Sequence, residues 1–146
     1  MSFNFSDVKW GRVVLWSILG LIIFLATSYL YVTVRMVILG FQLGGTPPQE
    51  AIMEFSSGPL YMVILCLAMA LGGFLGGRAS ARKAEGSYLL NGLLAGIGVA
   101  IVFVVYIIVT GSSFSLMVLL WAVLAIAGGA LGGWVGGRAA EAEAYA

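Results

Sequence analysis

Residues 88–109 read YLLNGLLAGIGVAIVFVVYIIV, with no Asp, Glu, Lys or Arg among them. A helix rises about 1.5 Å per residue and a bilayer's hydrocarbon core is about 30 Å thick, so about 20 such residues cross it. The run is continuously apolar, without the alternation of a barrel strand, so a helix is the way to satisfy its backbone in lipid. Three further runs share its character: Val13 to Val34, Leu60 to Gly77 and Phe114 to Gly137. None contains a charged residue.

The rest of the chain agrees with this reading. Of its 146 residues 62% are apolar and 9% charged. A soluble domain carries about a quarter charged residues, so this chain lacks the means to cover a water-facing surface. The net charge of +1 offers no basic field for nucleic acid. There is no His and one Cys, Cys66, which removes most catalytic triads, zinc sites and His-ligated haem. Cys66 sits in an apolar run and reads as packing rather than as a reactive thiol. We expect no enzyme and no metal or catalytic site. No cofactor is predicted, and a bound lipid, quinone or pigment is left open.

The fold class expected is an all-α membrane protein, one transmembrane domain over residues 1–146. Its spans run over about 12–40, 59–82, 87–110 and 114–139. Lys9 and Arg12 precede the first span as in a signal peptide, but the long run and missing cleavage site favour an uncleaved anchor. Between the first two spans, Thr46-Pro47-Pro48-Gln49 resembles a capping box with proline at the first helical position. It predicts a short interfacial helix over about 47–55, with Ile52, Met53 and Phe55 as its apolar contacts. Ser57-Gly58-Pro59 restarts the chain into the second span, while Ser87 and Ser113 are the expected caps of the third and fourth.

Lys and Arg set the orientation. Lys9, Arg12, Arg78, Arg82, Lys83 and Arg138 share one side of a four-span protein, and Arg35 alone lies on the other. Both ends and the link between spans two and three are therefore expected in the cytoplasm, in a prokaryotic cell (inner) membrane. Arg12, Arg35, Arg78 and Arg138 are the expected lipid headgroup anchors. Arg78 and Arg138 also read as cations at helix C-termini, where they complement the dipole.

A second pattern lies over the first. Residues 72–79 read GGFLGGRA and residues 132–139 read GGWVGGRA, an offset of 60. The spans then read as two parallel helical hairpins, the second a degenerate copy of the first. In the second span Gly72 and Gly76 form one row and Gly73 and Gly77 the next. In the fourth, Gly128, Gly132 and Gly136 stand beside Gly129, Gly133 and Gly137, and the third adds Gly92 and Gly96. Residues four apart share a helix face, and a glycine row lets another backbone come close. Tight packing of the second span on the fourth inside the chain, and a face for another subunit or a second copy, both fit. Two rows per helix are more than one contact needs.

Asn91 is the clearest polar residue within a span and is expected to bond across to another helix. Ser17, Thr27 and Ser28 are expected to bond to their own backbone. Trp10 and Trp134 inside, and Tyr61 outside, are expected in interfacial belts.

The stretch Gly72-Gly73-Phe74-Leu75-Gly76-Gly77-Arg78, then Gly86 and Asn91-Gly92-Leu93-Leu94-Ala95-Gly96, resembles small four-helix bacterial membrane proteins of the YrzE-like kind. The likeness covers about a third of the chain and rests on glycine-rich motifs. It implies the same topology and no site residues. The function expected is that of a non-catalytic accessory, scaffold or assembly subunit. Its partners would be membrane lipids and other membrane protein subunits or itself. A small oligomeric channel or transporter is the alternative, although no carboxylate lies at membrane depth for proton coupling.

Overall fold

The computed structural model describes residues 8–82, 84, 87–112 and 114–144. The described residues form five helices and no strand: α1 (Trp10–Leu43), α2 (Gln49–Ser57), α3 (Pro59–Ala81), α4 (Tyr88–Val109) and α5 (Leu116–Ala144). α1, α3, α4 and α5 are each long and apolar enough to cross a membrane. The expected cap Ser113 lies outside the described residues, as do Lys83 and Gly86.

Local chemistry sets most of the helix ends. Pro59 occupies the first turn of α3, where its missing N–H costs nothing. α1 stops at Gly44, whose φ of 67° is open to glycine without strain, and the Gly44 N–H bonds back to the Gly40 carbonyl. Gly111 turns the chain after α4 with the same φ.

Several ends differ from expectation, and α1 runs three residues past its expected end, to Leu43. α2 starts two residues late, with Pro48 in extended backbone as its N-cap and no side-chain cap bond. The Thr46 capping box therefore does not form. α3 starts at Pro59 as expected, with Gly58 as its N-cap, and the Ser57 hydroxyl donates back to the Met53 carbonyl at 2.8 Å. α5 runs five residues past the expected end, because residues 139–143, AAEAE, are mostly strong helix formers.

Every consecutive pair of long helices packs together. α1 meets α3 in opposite directions, since Trp16 faces Gly76 and Gly20 faces Gly72. α4 runs against α5, with Gly96 at Ala125 and Gly92 at Gly133. α3 and α5 run the same way, with Gly73 at Ala125 and Gly77 at Gly129. α3 and α4 also pack on one another and on α1, while no Cα of α1 lies within 8 Å of one in α5. The bundle is thus a rhombus in section. α3 and α4 lie across its short diagonal, and α1 and α5 lie at its far corners.

The core fills this rhombus. Leu21, Phe24, Leu65, Met69, Val99, Phe103, Ile107, Val118 and Ala125 are buried together. The rings of Phe24, Phe103 and Trp121 meet edge-on or tilted at 5.2–5.9 Å, so α1 and α5 touch through side chains. A smaller cluster, Val8, Val13 and Leu90, closes the end that carries Arg12 and Arg78.

Candidate functional site

The twelve glycines that the sequence singles out are all buried, each against another helix of the same chain. On α3, Gly72 and Gly76 face α1. A Cβ on Gly72 would sit 2.6 Å from the Gly20 carbonyl oxygen, and one on Gly76 would sit 3.2 Å from that of Trp16. The adjacent row, Gly73 and Gly77, faces α5 at Ala125 and Gly129. On α5, Gly128, Gly132 and Gly136 face α3 at Ala70, Phe74 and Arg78. Its other row, Gly129, Gly133 and Gly137, faces α4 at Gly96, Gly92 and Tyr88. Gly92 and Gly96 return that contact.

Each row therefore has its own neighbour inside the chain, which accounts for two rows per helix. The atoms that a Cβ would strike are mostly backbone, so they lack a side chain's freedom to turn aside. Backbones this close bring Cα–H groups against carbonyl oxygens, a weak attraction repeated along each seam. The same positions are buried at an offset of 60: Leu65, Ala68 and Met69 match Ala125, Gly128 and Gly129, and the glycines of 72–77 match those of 132–137.

The polar groups at depth are tied to backbone. Asn91 is fully buried, and its Oδ1 accepts from the Lys9 N–H at 3.1 Å while its Nδ2 donates to the Ser87 carbonyl. Its side chain thus holds the segment before α1 and the start of its own helix. The bond across to α3 is made by its backbone carbonyl, which accepts from the Ser80 hydroxyl at 3.1 Å. The Ser17 hydroxyl lies 2.7 Å from the Val13 carbonyl and 3.2 Å from that of Ala95 on α4. Thr27 bonds to its own helix at Ile23 as expected, but Ser28 pairs with the Tyr61 hydroxyl instead.

The four arginines expected as headgroup anchors divide into two kinds. Arg12, Arg35 and Arg78 each bury one guanidinium nitrogen with no acceptor. Arg35 lies over the Phe55 ring at 5.8 Å, which fastens α2 to α1. Tyr31 completes that contact, stacking on Tyr61 and meeting Phe55 edge-on. Arg138 is exposed and stacks on Trp134 at 4.1 Å. Because α5 continues to Ala144, Arg138 is not in its last turn and does not complement its C-terminal dipole; Arg78 is in the last turn of α3. Past Arg138, Glu143 pairs with Arg82 at 3.0 Å on the surface.

Trp121, a ring within the fourth apolar run, packs against the core. Its Nε1 is buried without an acceptor beside the Phe24 and Phe103 rings. The sequence carried only its position within an apolar run. No protein-family model matches the chain, and it matches no curated protein and no solved structure.

Proposed function

We propose that this chain is a non-catalytic accessory, scaffold or assembly subunit of a prokaryotic cell membrane, inserted as two parallel hairpins with both ends in the cytoplasm. The hairpins would be α1 with α3 and α4 with α5, α2 lying at the outer interface. The topology is also that of YrzE-like proteins, among which we place the chain.

One observation carries the reading: the glycine seams are occupied within the chain, while the outer faces of all four long helices expose large apolar side chains. Ile18, Ile22, Leu67, Leu71, Ile101, Val105, Leu119 and Val123 are examples. Such a body is a rigid apolar wedge that other transmembrane helices can pack against, and lipid covers what they leave. The arginines near its two ends anchor it to headgroups.

Purification in mild detergent after crosslinking in the membrane tests this reading. The expected result is a reproducible set of different membrane proteins, contacting α1 or α5 at the far corners. A stable homo-oligomer without them, coupled with solute flux in liposomes, would instead establish the oligomeric channel, its pore lying between copies.

A further inference from the structure

α1 is longer than the bundle it belongs to. Ser28 meets Tyr61 near the start of α3, and Phe24 meets Phe103 one and a half turns before α4 ends. Carrying these registers forward, α3 and α4 both end level with residues 30–31 of α1. Yet α1 continues to Leu43, about 18 Å further at the helical rise. Its 34 residues measure about 51 Å against a hydrocarbon core of about 30 Å, more than the tilt of ordinary spans absorbs. The extension therefore stands above the outer surface.

An exposed apolar line rises from the rim of the bundle, at Leu30, onto this extension, at Val37 and Phe41. Leu30, Val34, Val37 and Phe41 are 65%, 47%, 52% and 86% exposed. Their spacing is four, three, four, the repeat of a coiled-coil seam. At about 100° per residue they fall in one narrow stripe. Tyr31 and Arg35, which hold α2, lie roughly 110° round the helix, so α2 leaves the stripe open. No charged residue lies on the stripe. One turn below it, exposed Ala26 continues the line with a side chain small enough for backbones to approach.

We propose that this stripe is a self-association seam, and that its occupant is the same stripe of a second copy. Two copies in one membrane stand parallel, with their extensions at the same height. A two-fold axis along the membrane normal brings Leu30, Val34, Val37 and Phe41 onto their own counterparts and closes the pair. Like residues match across such a parallel seam, and an uncharged stripe brings no like charges together. The inference rests on the membrane reading above.

The test uses full-length protein with Cys66→Ser and one new cysteine at a time, oxidised in native membranes. Val34→Cys, Val37→Cys and Phe41→Cys are expected to give disulfide-linked dimers. Met36→Cys, on the flank, is not. Adding Val37→Glu to Val34→Cys is expected to cut its dimer yield at least about tenfold, since like charges then face each other. Equal yields at Met36 and at the seam positions would overturn the proposal. So would no dimer from any seam position in protein that resists alkaline extraction. Loss of the protein from alkaline-washed membranes would overturn the membrane reading itself.

Discussion

At Gly132 a methyl group has nowhere to go. An added Cβ would press on the Phe74 carbonyl and lie 2.8 Å from the Arg78 nitrogen, both main chain. Gly132→Ala must push α3 and α5 apart, and a cost of about 1–3 kcal/mol is expected. Thermal unfolding in detergent measures it. Gly11, which has nothing within 4 Å, is the control, and Gly11→Ala leaves the midpoint unchanged or slightly raised. Trp121 predicts the opposite sign to most core changes. Trp121→Phe removes a buried N–H that lacks an acceptor, so the midpoint is expected to hold or rise despite the smaller ring. The importance of the glycines was legible because spacing of four places them on one face. The packing of the second span on the fourth was legible too; that the remaining rows take α1 and α4 was not, since that depends on how each helix is rotated in the bundle. Asn91's partner was hidden for a related reason: the Lys9 N–H is a main-chain donor and leaves no mark in residue type.

At the scale of elements, helix existence was readable and helix ends less so. α4 was legible almost to the residue because Ser87 and Gly111 bound a run of pure apolar character. α5 was misjudged at its far end because Arg138 looked like a terminus, whereas the Ala and Glu residues beyond it favour helix. The Arg82–Glu143 pair tying that extension down is exposed at both side chains. Glu143→Gln is therefore expected to change stability by no more than about 0.5 kcal/mol, read by the same unfolding assay. α2 depends on few contacts, chiefly Phe55 against Tyr31 and Arg35. Tyr31→Ala is expected to raise amide exchange across residues 49–57 while exchange in α4 stays slow. Equal loosening of both would show that Tyr31 supports the whole bundle.

For the whole molecule, burial does something unusual. Its helix seams are lined by buried glycine backbone, and its largest side chains face outward or fill the centre of the rhombus. In water such a periphery would be an aggregation surface; in lipid it is already solvated. The central claim is therefore the topology: four crossings, with the Gly44 turn and the Gly111 turn on one side and the Arg82 link and the end of α5 on the other. Labelling in intact bacterial cells with a membrane-impermeant maleimide tests it most directly, using single cysteines on a Cys66→Ser background. Gly45→Cys and Ser112→Cys are predicted to react in intact cells. Arg82→Cys and Glu141→Cys are predicted to react only after the membrane is permeabilised. Reaction of Arg82→Cys or Glu141→Cys in intact cells, or protection of Gly45→Cys or Ser112→Cys there, would contradict the account.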